Sequence, residues 1–255
     1  MPNSDTRTAP DQPHTPSVYP GHRVLAMFPF FNEEGKLSRL IARMAPGQVD
    51  EYLGINDGST DNGPAELRAR GIHFLSQERS GVGSCIRTAV RFARENNFDV
   101  LVVMAGNAKD DPAEIQDLMR PIVEGRADYV QGSRYLPGGS SPNLPLFRNI
   151  AIKALSLMFR MYTGKNCTDL TNGFRAYRVN ILDDARINLE QAWLDRYEME
   201  YYIHWKAVEC GYRVVEVPVT KTYPANGVPY TKVVPFFGWW QMLRPFFLLS
   251  LRLRK

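Results

Sequence analysis

Several short polar clusters in this chain carry residue types suited to a phosphorylated, hydroxyl-rich ligand. They are Asn32-Glu33, Asn56-Asp57-Gly58-Ser59, Gly106-Asn107-Ala108-Lys109-Asp110-Asp111 and Gly132-Ser133-Arg134-Tyr135. A carboxylate such as Asp57 can accept from ribose hydroxyls or a base N–H, and equally from its own turn as an Asx cap. Arg79-Ser80-Gly81-Val82-Gly83 opens a helical pattern. Its glycines would let backbone approach a ligand, and a helix start favours anions. Arg134 and Arg175 carry planar forks that fit phosphate oxygens two at a time; the alternative for each is an ion pair with a local acid. Asp111 stands before Pro112, where an aspartate caps a helix, which leaves Asp110 as the better site carboxylate.

The elements that must position these residues are legible as alternating patterns. Strands are predicted at Val24–Phe28, Tyr52–Ile55, Ile72–Leu75, Val100–Met104 and Tyr129–Gln131, with a later one at Arg213–Val219. Helices are predicted at Glu33–Met44, Gly63–Arg70, Val82–Asn96 and Pro112–Glu124, then at Ile150–Tyr162 and Glu198–Cys210. Asn166 to Arg175 reads as a polar, glycine-containing segment, and Thr220 to Lys232 as a loop. Strand–helix alternation of this kind implies an α/β fold with a mostly parallel sheet and helices on both faces. Such sheets bind ligands beyond the carboxyl ends of their strands, where the polar clusters fall.

Composition narrows the class. A chain of 255 residues, 44% hydrophobic, can bury one sizeable core, and a net charge of +4 is too small for a dedicated nucleic-acid binder. Cys85, Cys167 and Cys210 lack metal-site spacing and are expected as reduced thiols. Residues 1–22 are polar and proline-rich, which predicts a disordered tail, and no apolar run is long enough for a transmembrane helix. Residues 22–232 read as one domain. Residues 233–255 hold aromatics, Arg244, Arg252, Arg254 and Lys255, and no acid. Such a segment can lie in a membrane interface, or else pack on the domain or on a twin subunit in a homodimer.

Taken in order, the motifs resemble the inverting family 2 glycosyltransferases with the GT-A fold, and within them the dolichol-phosphate and polyprenyl-phosphate hexosyltransferases. Phe28-Pro29-Phe30-Phe31-Asn32-Glu33-Glu34 resembles the P-x-x-N-E opening, and Asn56-Asp57-Gly58-Ser59-Thr60-Asp61 the D-D-G-S-x-D turn. Arg79 to Gly83 resembles R-x-x-G-x-G. Gly132-Ser133-Arg134-Tyr135 with Gly138-Gly139 resembles G-S-R-Y-x-x-G-G, followed by Arg148. Asp169-Leu170-Thr171-Asn172-Gly173-Phe174-Arg175-Ala176 resembles D-x-T-S-G-F-R-A. The resemblance implies donor contacts from Pro29, Asn32, Glu33, Asp57, Arg79, Gly83, Asn107, Lys221 and Lys232. It implies acceptor contacts from Ser133, Arg148, Asn172 and Arg175. Lys109, Asp110, Arg134 and Asp169 would be the catalytic group.

The pattern breaks after the fourth strand. There the family carries a D-x-D signature that holds Mg2+ or Mn2+ against the donor pyrophosphate. Here Ala105 and Asn107 stand at the two acids, and Lys109 stands near the third ligand position. Three readings follow: Lys109 does the metal's work as a point charge, Asp110 and Asp111 shift to hold a metal, or the chain is a catalytically dead relative.

The expected reaction is transfer of a hexose from a UDP- or GDP-sugar. A lipid phosphate acceptor is already a nucleophile, whereas a sugar hydroxyl in a glycan acceptor needs a base, for which Asp169 and Asp110 are the candidates. The acid-free terminal segment favours the lipid acceptor and a cytoplasmic, peripheral site on the inner face of the membrane. Sugar-to-sugar transfer in cell-envelope or natural-product assembly, and a non-catalytic nucleotide-sugar-binding protein, are the alternatives.

Overall fold

The computed structural model describes residues 17–224 and 237–251. Its sheet has seven strands: β1 (Val24–Phe30), β2 (Glu51–Asp57), β3 (His73–Gln77), β4 (Val100–Val103), β5 (Tyr129–Ser133), β6 (Arg175–Arg178) and β7 (Val214–Pro218). They lie in the order β3-β2-β1-β4-β6-β5-β7. All pair in parallel except β6, which runs antiparallel to both β4 and β5. The carboxyl ends of six strands and the amino end of β6 therefore share one edge.

Among the described residues seven α-helices accompany the sheet: α1 (Lys36–Ile41), α2 (Gly63–Ala69), α3 (Val82–Glu95), α4 (Ile115–Val123), α5 (Leu146–Thr163), α6 (Glu198–Glu209) and α7 (Phe237–Ser250). Central strands read as continuous apolar runs because both their faces are covered. Along β1, Leu25 and Met27 join one core with Ile86 and Ala89 of α3 and Tyr202 of α6. Val24, Ala26 and Phe28 join the opposite core with Leu40 of α1 and Leu118 of α4.

The predicted elements hold, with four corrections. The strand β6 starts at Arg175, the last residue of the expected polar segment, and was not predicted; its four residues, Arg-Ala-Tyr-Arg, are too short and too charged to show a strand period. The first helix is shorter than expected, because Asn32 (φ 47°) and Gly35 (φ 72°) are left-handed and delay its start. The fifth begins four residues early, directly after Pro145. The expected tail to residue 22 also ends sooner. Ser17 Oγ and Val18 N already bond the Asp50 carboxylate, at 3.0 and 3.2 Å. Residues 1–16 lie outside the described residues. Among those described, no helix is long and apolar enough to cross a membrane.

Candidate active site

At the β1–β3 end of the edge, the turn after β2 is organised by neutral donors. Asp57 is 6% exposed, and its carboxylate accepts from Ser80 N (2.8 Å), Gly81 N (3.0 Å) and Gln77 Nε2 (3.1 Å). Asn32 accepts from Thr60 N at 2.8 Å and donates its own N–H to Ser59 Oγ at 3.1 Å, tying the loop after β1 to this turn. Glu33 pairs with Lys36. Arg79 stacks its guanidinium 3.2 Å above the Phe31 ring. Pro29 lies within β1, and its carbonyl is so close to Gly106 that a Cβ there would meet it at 2.5 Å.

The helix start at Arg79–Gly83 differs from expectation. Its amides at Ser80 and Gly81 are taken by Asp57, an internal anion, and Ser84 N donates to Asp195 O at 3.1 Å. A Cβ at Gly83 would fall 1.8 Å from Leu194 O. The close approach that Gly83 permits is thus to the protein's own 194–196 backbone, not to a ligand. Arg87 braces that segment through Asp195 (2.8 Å) and Leu189 O (2.9 Å).

The β4–β7 end is organised by charge. The loop after β4 turns through left-handed Ala108 (φ 60°) and folds Asp110 inward. Asp110 is fully buried and accepts from Ala105 N at 2.8 Å and from Lys221 Nζ at 2.5 Å. Lys221 also donates to Asn172 Oδ1 at 3.2 Å. Asn107 accepts from Lys109 N at 3.3 Å, shaping the loop. Asp111 caps the turn at Pro112 by accepting from Ala113 N at 3.0 Å, so its carboxylate has a structural partner.

Arg134 and Asp169 form a bidentate pair, Nε to Oδ2 and Nη2 to Oδ1, both 2.6 Å, with side chains 3% and 0% exposed. Arg134 further donates to Thr171 Oγ1 (2.9 Å) and Tyr223 OH (2.7 Å). Of the two readings for Arg134, the geometry realises the ion pair. Arg175 departs further: it points into the core, 2% exposed, donating to Tyr129 OH (2.8 Å), Glu200 O (2.7 Å) and Asn172 O. Ser133 is also buried, sharing a 2.6 Å hydrogen bond with Thr168. These residues build the wall of the site.

A strap after β7 closes this end. Thr220 N donates to Glu114 Oε1 (2.9 Å), Lys221 N to Ser140 O (3.0 Å), Thr222 N to Lys109 O (3.1 Å) and Tyr223 N to Pro142 O (3.0 Å). Sequence reasoning passed over Tyr223, which is the hub. Its hydroxyl receives Arg134, and Lys109 Nζ and the Arg148 guanidinium lie 5.1 and 6.0 Å from its ring centre. The signal was present, since Tyr223 follows Lys221 by two in a segment continuing the strand. Lys232 lies outside the described residues.

Burial, and then the cations of Lys221 and Arg148, bring the Lys109 ammonium down from 10.5 to about 8, against the opposing pull of Asp110 and Glu33. The residues do not suit a divalent cation. Asp110 is committed to Lys221 and Asp111 to a cap, and among the described residues no three His, Cys, Asp or Glu side chains converge.

A mostly parallel sheet edge with the Asp57 carboxylate at one end and Lys109 and Lys221 at the other is the arrangement of an α/β protein whose ligands sit beyond the carboxyl ends of its strands. Comparison with known proteins makes the class specific. The model of glycosyl transferase family 2 matches residues 26–186, and the chain belongs to that family. It is 31% identical to polyprenol monophosphomannose synthase of Mycolicibacterium smegmatis, covering 89% of this chain and 87% of that one. It is 32% identical to undecaprenyl-phosphate mannosyltransferase of Micrococcus luteus, over 78% and 83% of the two chains. Among solved structures it resembles glucosyl-3-phosphoglycerate synthase of Mycobacterium tuberculosis bound to UDP, with TM-score 0.65, 18% identity and coverage of 91% and 80%. That enzyme has also been solved with Mn2+ and UDP (TM-score 0.61, 16% identity, coverage 88% and 78%). These structural likenesses confirm the GT-A fold.

Proposed function

We propose that this enzyme transfers a hexose, with inversion, from a nucleoside-diphosphate sugar to a polyprenyl-phosphate acceptor, and that lysines meet the charge of the departing pyrophosphate. The observation that carries this reading is the placement of Lys109 and Lys221 together at the loop where the family's metal-binding acids would stand. Similarity to mannosyltransferases that use polyprenol and undecaprenyl phosphate supports the acceptor class.

In the reaction, an acceptor phosphate oxygen forms the new bond to the anomeric carbon. The bond from that carbon to the nucleoside diphosphate breaks, and its electron pair goes to the leaving phosphate oxygen. No proton need move, because the attacking phosphate is already an anion. This suits the residues present: Asp169 is clamped by Arg134 and Asp110 by Lys221, so neither is poised to take a proton from a sugar hydroxyl. The developing charge falls where Lys109, Lys221 and Arg148 converge, within a buried wall that strengthens their effect. In this reading Asp57 receives hydroxyls of the nucleotide, which its neutral amide donors, Ser80 N, Gly81 N and Gln77 Nε2, support by leaving its charge uncancelled.

The test is transfer of labelled sugar from UDP- and GDP-hexoses to polyprenyl phosphate and, separately, to a glycan, each with added Mg2+ or Mn2+ and with EDTA. Transfer to the lipid phosphate that survives EDTA is the expected result. Transfer that requires the metal would overturn the lysine assignment. Transfer only to the glycan would overturn the acceptor assignment.

A further inference from the structure

Lys109 is carried on the loop that follows β4, and that loop is held in an uncommon way. Its base is tight. Ala105 N donates to Asp110 Oδ2 at 2.8 Å, and a Cβ at Gly106 would meet Phe30 Cβ at 3.1 Å as well as Pro29 O. Its apex is strained. Four non-glycine residues among those described have a left-handed backbone: Asn32, Asn97, Asn143 and Ala108. Asparagine tolerates that region because its short polar side chain bonds locally; alanine has no such compensation. A strained residue persists only where its surroundings over-determine it, and such residues gather at functional sites.

The surroundings of Ala108 are explicit. Its side chain packs against the core that holds Leu40, Ile41 and Met104. Its carbonyl accepts from Arg43 Nη2 at 2.8 Å. Arg43 stands two residues beyond the end of α1, at a place fixed by its own N–H on Leu40 O (3.0 Å) and by the burial of Leu40 and Ile41. Its Nε also donates to Arg39 O at 3.4 Å, the bond of a basic residue that closes a helix C-terminus. Capping needs only that second bond. The shorter one leaves the helix and reaches a carbonyl sixty-five residues along the chain.

The other side of Lys109 is held as well. Lys109 O accepts from Thr222 N at 3.1 Å, and Lys109 N donates to Asn107 Oδ1 at 3.3 Å. The backbone flanking this lysine is thus pinned by Arg43 on one side and by the strap after β7 on the other. A lysine depends on such anchoring more than most residues. Its ammonium is a point charge on a flexible four-carbon stem, so its placement follows the backbone that carries it. A charge stabilises a leaving group best where it is already aimed before the reaction begins.

We infer that Arg43 is a positioning residue for sugar transfer: its grip on the Ala108 carbonyl holds the strained apex of the loop, and with it the Lys109 ammonium, against the departing pyrophosphate. Arg43 acts through Lys109 and touches neither sugar nor phosphate. The inference rests on the proposed role of Lys109.

The test is steady-state transfer of labelled hexose to polyprenyl phosphate, from whichever of UDP-glucose and GDP-mannose the parent accepts. The proteins compared are the parent, Arg43→Met, Arg43→Lys, Lys109→Met and the double variant Arg43→Met, Lys109→Met. Arg43→Met should lose about tenfold in kcat with the acceptor KM unchanged. Arg43→Lys offers one donor to the same carbonyl and should recover most of that loss. In the Lys109→Met background the change at Arg43 should cost nothing further, because residues that act as one unit are not additive. The same tenfold loss in that background would overturn the inference, since Arg43 would then act on its own. So would parental turnover by Arg43→Met, or an Arg43→Lys variant that melts with the parent yet is as slow as Arg43→Met. Failure of Arg43→Met to fold would overturn it too, because Arg43 would then be a strut of the whole domain. Parental transfer by Lys109→Met would defeat the proposed function first, and the inference with it.

Discussion

The two ends of the sheet edge hold their carboxylates in opposite ways. At the β1–β3 end, Asp57 is bound by backbone amides and a glutamine, all neutral. At the β4–β7 end, Asp110 is bound by Lys221 and Asp169 by Arg134. Neutral donors fix a carboxylate without cancelling its charge, so the first end stays an acceptor for hydroxyls and N–H groups. Salt bridges cancel charge, and the cations that gather around Lys109 and Arg148 give the second end its sign. One edge thus carries a carboxylate on neutral donors at one end and a gathering of cations at the other, which is the division the proposed nucleoside and pyrophosphate placement requires.

This contrast can be broken from either side. The largest effect is expected from Asp169→Ala, which leaves Arg134 buried without its partner. Stability should fall by about 3–5 kcal/mol, read by urea denaturation. An unchanged midpoint would mean that the pair is not the clamp described. Next is Lys109→Met. Transfer should fall by about 10²–10³ in kcat/KM if the ammonium stabilises the leaving group. The same variant should be more stable at neutral pH by about 1–2 kcal/mol, since a desolvated cation has gone. Activity and stability moving in the same direction would count against a strained lysine.

Gly83→Ala sharpens the reading of the helix start. Its Cβ would collide with Leu194 O at 1.8 Å, so a loss of about 2–3 kcal/mol is expected, with the nucleotide dissociation constant measured on the folded fraction unchanged. Weakened nucleotide binding at unchanged stability would restore that glycine to the ligand. Asp57→Asn keeps the shape and removes the charge; nucleotide affinity should drop by about tenfold with little loss of fold, measured by titration calorimetry.

The smallest effect is in pH. The folded Lys109 titrates near 8, below its unfolded value of 10.5. Between these values the unfolded chain binds more protons, so Lys109's contribution to stability rises with pH across that window and is lost again as pH falls towards 8. Donor affinity should move oppositely, weakening as pH rises through about 8 while Lys109 loses its charge. Lys109→Met should flatten both profiles.

Much of this was written in the sequence because it depends on local pattern. Continuous apolar runs at Val24 and Val100 fix buried strands, and the glycine and asparagine turns after them fix where ligand-facing loops begin. The break at Ala105 and Asn107 is likewise a matter of residue identity, visible without coordinates. The motifs could place Arg134, Arg175 and Gly83 near the site but could not give their direction, because orientation depends on partners far along the chain. Arg134 meets Asp169 thirty-five residues later and Tyr223 eighty-nine residues later. Arg175 turns inward because β6 is inserted between β4 and β5, a pairing too short and polar to show a period. Gly83 is filled by a backbone segment more than one hundred residues away. Sequence alone thus determined the elements, their order and the chemical inventory of the edge. The tertiary structure decided which charges pair and which stay available, since charge pairing and burial are set by distances between segments that local sequence does not encode.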